Sequence, residues 1–364
     1  MSDKRCGISQ NKNGVFCKKD IENRKRGVTE LKTGKQVLKI FCSVMISGLM
    51  IGNLTGCGFF GDSKKTELVK TEENNFVYGD ETSEICYEIT QLPFPTFWGG
   101  EAYSIMTPEG DLYLIDGGFR GEDGQRITQY IEEHGGKVKG WILTHPHVDH
   151  IGAFLDYMAG NSEKVETVYY SPFTREFFEE EEDPAIYEIL NNPNAILFYE
   201  FLEMAEATKE TTEYVPMLVG ERLSIGDLQL ECFASFDPDR HDVNANSLVF
   251  TISYEEFVLL LTGDMTELTL EDMKEEIPED AVLWDADIIQ IPHHGYMAGI
   301  ASDALYQATK PEYALLDCTV GEYDNNSVNI QNHVQMVEDL EIEVLKRFDD
   351  EDGNKILIYA EKEK

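Results

Sequence analysis

Residues 144–152 hold three of the eight histidines of the chain, and an aspartate lies among them. These side chains are His145, His147, Asp149 and His150. Two histidines two residues apart in extended backbone point the same way, and a following turn brings the next side chains beside them. Imidazole and carboxylate are the ligands that zinc takes in hydrolytic sites, where an open coordination position makes bound water acidic. The segment therefore predicts a metal-binding loop.

Two later apolar, strand-like runs end in residues of the same types. One leads to Asp264, and the other leads to His293 and His294, which Gly295 follows. A carboxylate at the tip of a strand suits a ligand that bridges two cations, because the rigid strand fixes its position. Glycine permits a tight turn or the close approach of a substrate. These residues extend the predicted metal site beyond the first loop.

The elements that must position these residues alternate along the chain from residue 84. Predicted strands cover 85–89, 102–106, 112–115, 141–143, 165–170, 228–233, 248–253, 258–261, 288–291, 313–316 and 356–359. Predicted helices cover about 124–134, 151–159, 183–208, 266–275, 301–309 and 328–340. Strands in hairpin-like pairs and helices that return singly favour two mixed sheets packed together with helices outside.

The stretch 174–213 differs from the rest of this pattern. An acidic run at 179–183 leads into a long amphipathic segment rich in aromatic residues. Two interpretations fit the stretch: a lid beside the site, or a helical insertion that packs on the outer face of a sheet.

The first 56 residues hold 11 Lys and Arg against four acids, followed by an apolar run at 40–51. A basic stretch, a short apolar stretch and small residues in this order are typical of an export signal. The run is too short for a membrane-spanning stop-transfer helix, and the alternative is a buried core helix. It leads to Leu54-Thr55-Gly56-Cys57, which resembles the lipobox of bacterial lipoproteins. That resemblance implies a signal peptide over 1–57 and a lipid anchor on Cys57 at the outer face of the cytoplasmic membrane.

Residues 58–83 are mostly polar and predict a flexible tether to a hydrolase domain over 84–364. The net charge of the chain is −39. Without 1–56, 19 of its 30 basic residues and 65 of its 69 acidic ones remain. Nucleic acid gains affinity from Lys and Arg contacts, so this balance disfavours it as a partner, although the acidity could serve only solubility. Cys86, Cys232 and Cys318 predict buried thiols and no disulfide framework.

Together these segments resemble the metallo-β-lactamase superfamily from about residue 84 to 360. They are similar to the extracellular hydrolase domain of ComEC-type competence proteins. Five motifs in order carry the resemblance: the Asp116 turn, the 144–152 loop, Asn246-Ser247-Leu248-Val249, Thr262-Gly263-Asp264 and His293-His294-Gly295. The family implies an α+β fold, an αββα sandwich of two mixed sheets with helices on the outer faces.

The resemblance also implies two divalent metal ions, zinc or alternatively manganese. It implies that His145 and His147 hold the first ion, that Asp149, His150 and one histidine of the 293–294 pair hold the second, and that Asp264 bridges. Of the pair, His294 is favoured as the ligand and His293 as the contact to substrate oxygen, and the reverse assignment stays open. Asp149 and His293 would act in catalysis, and Asn246 is favoured to line the substrate site. Many members of the superfamily have a further histidine before the Gly-Asp strand. Only His241 lies in that interval here, and its polar loop predicts an exposed position.

The implied reaction is hydrolysis by a metal-bridging hydroxide. By the resemblance, a phosphodiester or phosphomonoester is the favoured bond. Because the domain is so acidic, a small-molecule or cell-wall-derived substrate is favoured over long DNA. The alternatives are a hydrolase of a carboxylic ester, thioester or lactam, and a non-catalytic surface lipoprotein that binds a metal or another ligand. The lipid anchor would be the only contact with the membrane, and no oligomeric state is predicted.

Overall fold

A computed structural model describes residues 67–71, 75–94, 100–181, 193–297, 299–300, 302–349 and 352–360. Residues 64–364 form one compact unit. The predicted signal peptide over 1–57 and the first part of the predicted tether lie outside the described residues. None of the described helices has both the length and the apolar character needed to cross a bilayer.

The strands fall into two sheets. Their bounds are β1 Val69–Lys70, β2 Phe76–Gly79, β3 Ile85–Gln91, β4 Ala102–Met106, β5 Leu112–Asp116, β6 Val138–Leu143, β7 Val165–Tyr170, β8 Glu213–Pro216, β9 Arg222–Ile225, β10 Leu228–Ala234, β11 Val249–Tyr254, β12 Phe257–Leu261, β13 Ile288–Gln290, β14 Tyr313–Leu316, β15 Glu343–Lys346 and β16 Lys355–Ala360. The first sheet has the order β1-β2-β16-β3-β4-β5-β6-β7-β8, and the second has the order β15-β14-β13-β12-β11-β10-β9. Both mix parallel and antiparallel pairs.

Eight α-helices are present among the described residues. They are α1 Glu122–Glu133, α2 Val148–Asn161, α3 Arg175–Glu181, α4 Pro193–Thr208, α5 Glu267–Glu276, α6 Ala304–Thr309, α7 Val320–Asn325 and α8 Ile330–Glu338.

Three apolar clusters show how the layers stack. The central cluster joins the inner faces of the two sheets, as with Ile105 and Leu259. A second cluster joins the outer face of the first sheet to α1 and α2, through residues such as Trp141 and Phe154. The third covers the outer face of the second sheet with α5, α6 and α8. Alternate side chains of a strand point to opposite faces, so each strand serves two layers. The predicted αββα sandwich is confirmed.

Each predicted strand and helix overlaps an observed one, but β1, β2, β8, β9, β15, α3 and α7 have no counterpart among the predicted strands and helices. The predicted tether, 58–83, is wrong for residues 76–79, because Phe76, Val77 and Tyr78 are buried. Strand β2 pairs in parallel with β16, from the other end of the domain. A four-residue strand whose successive side chains are buried shows no alternation of apolar and polar residues in its own segment.

The helical insertion at 174–213 is described over 174–181 and 193–213. In α4, Phe198 and Phe201 are buried in the cluster that covers the outer face of the first sheet. They also line a cavity of about 20 Å³ together with His145 and Pro146. The described part therefore packs as an insertion on that face and backs the loop that carries the histidines.

We expect Phe76→Ala to lower the free energy of unfolding by about 3–5 kcal/mol, the usual result of emptying a buried phenylalanine site. The ring of Phe76 is fully buried, and its centroid lies 4.7 Å from that of Tyr313 in the second sheet. Denaturant unfolding would measure the change. Val69→Ala is the matched control, because Val69 is 55% exposed and should change stability by less than about 0.5 kcal/mol. Equal stability of the two variants would show that Phe76 is not part of the folded core and would favour the predicted flexible tether.

Candidate metal centre

The loop between β6 and α2 presents the first set of histidines. His147 precedes the helix with extended backbone, and His150 lies in the first turn of α2. The ring centroid of His145 lies 4.5 Å from that of His147 and 4.1 Å from that of His150. His145 and His150 are buried, so one short loop concentrates three imidazoles where strand β6 ends.

The carboxylate of Asp264 lies between two groups of imidazoles. Its Oδ1 is 3.3 Å from His150 Nε2 and 3.5 Å from His294 Nε2. Its Oδ2 is 3.6 Å from His145 Nε2 and 3.7 Å from His293 Nε2. Two ligands of one zinc ion, each about 2.0–2.2 Å from it, lie at such separations from each other. Each carboxylate oxygen therefore faces its own group of nitrogens.

Two sets of possible ligands follow from these positions. One set contains Asp149, His150, Asp264 and His294, and the other contains His145, His147 and Asp264; within each set the ligand atoms lie within 4.8 Å of one another. A third set, Glu101, Asp116 and His150, would use a carboxylate that already accepts a hydrogen bond from His150. The structure thus brings together all six predicted metal ligands.

A side chain not predicted from the sequence fixes the strand end that carries Asp264. Gln290, at the end of β13, accepts hydrogen bonds with Oε1 from the backbone N–H groups of Thr262 (2.7 Å) and Gly263 (2.9 Å). Its Nε2 donates to a carboxylate oxygen of buried Glu101, just before β4 in the other sheet. Glu101 N–H in turn donates to the carbonyl of Asp149 at 3.1 Å. These hydrogen bonds connect the strand end that carries Asp264, in the second sheet, to the loop that carries Asp149, in the first sheet.

The histidine pair lies in a strained turn. His293 and His294 have φ of 53° and 54°, and Gly295 has φ of 81°. Left-handed backbone costs about 1–2 kcal/mol for a residue other than glycine, so neighbouring contacts must hold the turn. His333 in α8 provides one such contact, because its Nδ1 bonds the Gly295 carbonyl at 3.1 Å. A side chain at Gly295 would meet Leu316 Cδ1 at 2.8 Å.

The Nδ1 atom of each buried imidazole has a hydrogen-bond partner, which orients the ring. His150 Nδ1 lies 2.7 Å from Asp116 Oδ2, His294 Nδ1 lies 2.9 Å from the carbonyl of Asp317, and His145 Nδ1 lies 3.2 Å from Ser247 Oγ. A ligand histidine in a metal site is normally held this way through its other nitrogen.

The opposite atoms of these rings have no hydrogen-bond partner. They are His145 Nε2, His150 Nε2 and His294 Nε2, and Asp264 Oδ1 is unpartnered too. Leaving a buried polar atom unsatisfied costs about 1–3 kcal/mol, and four such atoms converge here. Because nitrogen and carboxylate donors suit a divalent cation, the residues present fit the metals that the sequence implies.

Carboxylates favour the cationic form of two imidazoles when no metal ion is bound. Burial by itself lowers the pKa of His150, but the attraction of Asp264 and Asp116 outweighs burial and raises that pKa well above its ordinary value. Burial also opposes the charged form of His294, yet Asp264 and Asp149 raise its pKa to about 10. Protons therefore offset the buried negative charge in place of a metal.

Burial favours the neutral form of the imidazoles of the other group. Burial lowers the pKa of His145 well below its ordinary value and lowers that of His147 to about 4. Burial is also the main reason why the pKa of His293 is lowered. The three rings can act as neutral ligands or hydrogen-bonding groups at neutral pH without first losing a proton.

The predicted substrate residue Asn246 has another place in the structure. Its Oδ1 accepts from Asp237 N–H at 2.7 Å, and its Nδ2 donates to the carbonyls of Arg240 (2.7 Å) and Asp242 (2.9 Å). The prediction that Asn246 lines the substrate site is therefore wrong: its amide holds the preceding loop. His241 in that loop is exposed, as its sequence indicates.

Asn244, two residues earlier, faces the site instead. Its Nδ2 lies 3.3 Å from His293 Nε2. The pattern Asn244-Ala245-Asn246 could have suggested either residue, but only the conformation of the short 3₁₀ turn at 244–246 decides which amide points at the histidine.

Two mixed sheets packed face to face, with outer helices and a His/Asp cluster at the strand ends, define an αββα metallohydrolase scaffold. The model of the Metallo-beta-lactamase superfamily matches residues 97–312. This is more than half of the chain, and the chain belongs to that superfamily.

The relatives have different activities. RNase aCSPSF2 of Saccharolobus solfataricus is 26% identical over 210 residues, which are 57% of this chain and 39% of the relative. The hydroxyacylglutathione hydrolase of Hahella chejuensis is 26% identical over 140 residues, 38% of each chain. The match thus spans less than two-fifths of the length of either relative. The metallo-beta-lactamase fold protein YhfI from Bacillus subtilis superposes with a TM-score of 0.44 and 13% identity, over 75% of this chain and 99% of YhfI.

We expect Asp116→Asn to weaken binding of one divalent cation by about 10–100-fold, the usual effect of changing a group that orients a ligand histidine. Asp116 accepts from Thr144 N–H as well as from His150, and an amide cannot accept at both oxygen positions. Competition titration with a zinc chelator would measure the affinity. Asp111→Asn, an exposed carboxylate just before the same strand, is the control. Unchanged zinc affinity in Asp116→Asn would contradict the orienting role.

Metal binding should also release protons, because ligand histidines must be neutral. The raised pKa values of His150 and His294 favour their protonated forms at pH 7, so we expect about two protons to leave these rings when the ligands bind divalent metal ions. Their release should decline as pH rises through about 10, the pKa of His294. Calorimetry in buffers of different ionisation enthalpy would count the protons. His294→Gln should release about one fewer than the unaltered chain, and an identical count in both would refute this assignment.

Proposed function

We propose that this chain is a binuclear metal-dependent hydrolase that cleaves phosphoester bonds. The observation that carries the proposal is the position of Asp264, whose two oxygens face different groups of imidazoles at 3.3–3.7 Å. A carboxylate between two ligand sets is the arrangement that holds two cations at bridging distance. Paired metal sites suit in-line displacement at phosphorus, because they stabilise both the attacking and the leaving oxygen.

The residues would divide the work by position. The first ion, which zinc would suit, would be held by His145 and His147, the second by Asp149, His150 and His294, and both by Asp264. When bound, such a pair supplies an acidified water and an electrophilic contact for the substrate. Asp149 is well placed to orient that water, because its carboxylate lies 3.3 Å from His294 Nε2 and is 23% exposed.

His293 would contact the substrate. Its side chain is 17% exposed, in contrast to the 1% of His294, and its Nε2 lies 3.7 Å from Asp264 Oδ2. The ring is therefore open to a molecule that binds above the metal ligands. The lowered pKa of His293 keeps the imidazole neutral, so that it can exchange a hydrogen bond with a substrate oxygen.

One observation supports a phosphoester bond, and another supports a substrate of limited size. One relative is an RNase, and phosphodiester cleavage is the chemistry of that enzyme class. The net charge of −39 repels a long polyanion over distances of about 10 Å at moderate salt, which favours a small or cell-wall-derived phosphoester. The hydroxyacylglutathione hydrolase relative favours a second candidate, hydrolysis of a thioester.

We further propose that the chain acts outside the cell as a lipoprotein. The basic N-terminus, the apolar run at 40–51 and the lipobox-like segment that ends at Cys57 support export and a lipid anchor. The resemblance of the five motifs to the hydrolase domain of ComEC-type proteins supports an extracellular hydrolase in particular.

The purified chain, loaded with Zn²⁺ or Mn²⁺, should hydrolyse bis-p-nitrophenyl phosphate or p-nitrophenylphosphorylcholine and lose this activity on chelation. His293→Gln should reduce kcat by about 10²–10⁴-fold, as expected for a group that exchanges a proton or hydrogen bond in the transition state, without loss of bound metal. His241→Gln, an exposed histidine, is the matched control and should keep full activity.

The other outcomes separate the alternatives. Turnover of a hydroxyacylglutathione thioester, without turnover of either phosphoester or of plasmid DNA, would replace the proposal with the second candidate. A metal-loaded chain that hydrolyses none of these substrates would favour a non-catalytic binding protein.

A further inference from the structure

The two cation positions have unequal sets of ligands. Within the described part of the chain, four His, Asp or Glu side chains converge on the second position and three on the first. The first set is His145, His147 and Asp264. Asp264 is shared, so the first position also has the smaller share of negative charge. A cation there would have three protein ligands, and catalytic zinc can expand to five ligands, so one further oxygen or nitrogen ligand would still leave room for a bound water.

Asn244 offers an oxygen atom that could serve as this further metal ligand. Its Oδ1 is buried and has no hydrogen-bond partner. The Nε2 atoms of His145 and His150 are buried and unpartnered in the same way. A carboxamide oxygen is an acceptor and cannot donate, so only a hydrogen-bond donor or a cation can satisfy it. Its Nδ2 lies 3.3 Å from His293 Nε2, a nitrogen that is itself 3.7 Å from Asp264 Oδ2.

The turn that carries Asn244 is attached to the first ligand set. Ser247, whose N–H donates to the Asn244 carbonyl at 2.9 Å, places its Oγ 3.2 Å from His145 Nδ1. The same oxygen accepts from Asp264 N–H at 3.2 Å. The turn therefore contacts two ligands of the first position. Ala245 fixes its backbone further, because its carbonyl accepts from Thr269 Oγ1 at 2.8 Å.

The opposite orientation of the amide is less favourable. Exchanging the oxygen and nitrogen of Asn244 would place the NH₂ group where the oxygen now lies. An amide NH₂ group has no lone pair to offer a metal, so it would be repelled by a cation at the first position. In the orientation of the structure, a cation would satisfy the oxygen while Nδ2 lies 3.3 Å from His293 Nε2.

We propose that the Oδ1 atom of Asn244 is the fourth side-chain ligand of the first cation. This assignment rests on the two cation positions of the proposed function. With a neutral amide oxygen as its further ligand, the first position has one carboxylate against two at the second, so it should bind a cation more weakly. The first cation should therefore be the one that leaves first on dilution or mild chelation.

The test is the metal content and affinity of the full chain and its Asn244 variants. The chain would be equilibrated in zinc buffers and its bound zinc counted by mass spectrometry, and Co²⁺ substitution would report ligand changes by visible absorption. The unaltered chain should bind two zinc ions. Asn244→Ala should lower affinity at the weaker position by at least about 10-fold and leave the tighter ion in place. Asn244→His should restore two bound ions, with an altered Co²⁺ spectrum.

Controls and contrary results distinguish the assignments. His241→Ala, in the same loop and exposed, should bind two ions with unaltered affinity. Two ions bound with unchanged affinities in Asn244→Ala, or an unchanged Co²⁺ spectrum in Asn244→His, would overturn the assignment of Asn244. If the unaltered chain binds fewer than two ions at saturation, the binuclear function fails first, and this assignment fails with it.

Discussion

The carboxylate of Asp264 is the one charge on which the arrangement of the site depends. It is 1% exposed, and its oxygens face imidazole nitrogens on both sides. A carboxylate removed from water needs a paired cation or a metal, and burial alone would raise its pKa. The neighbouring His150 and His294 instead lower the pKa of Asp264 well below its ordinary value. Protons on those two rings and divalent cations are thus alternative ways to neutralise the same buried charge.

The sandwich fold supplies the geometry, because the ligands lie at strand ends of both sheets. The loop after β6 belongs to the first sheet, and the loops after β12 and β13 belong to the second. Buried polar contacts cross between the sheets at this level: Glu101 with Gln290, and Tyr103 with the carboxylate of Asp317 at 2.5 Å. The backbone carbonyl of Asp317 also orients His294. The relative position of the two ligand sets is therefore coupled to the packing of the sheets.

The sequence predicts which His and Asp side chains converge much better than it predicts the groups that orient them. His145 to His150 are close together in the chain, and Asp264 and His294 follow apolar strands, so residue type and spacing were sufficient to group them. The contacts of Gln290 and the choice between Asn244 and Asn246 depend on strand register and side-chain rotamers, which no local pattern encodes. Strand β2 was missed for a similar reason, since its partner β16 lies at the far end of the domain.

In the proposed binuclear centre, the same contacts make the two cation positions unequal before any substrate binds. The second position has Asp149 and shares Asp264, and Asp116 adds negative charge behind His150. The first position has His145 and His147, whose lowered pKa values keep them neutral, and only its share of Asp264. Coulomb attraction therefore favours a cation at the second position over the first. His293 and Asn244 lie beside the first position. If the proposed function holds, a negatively charged oxygen of the substrate would therefore meet the less neutralised cation and the partly exposed imidazole of His293 together.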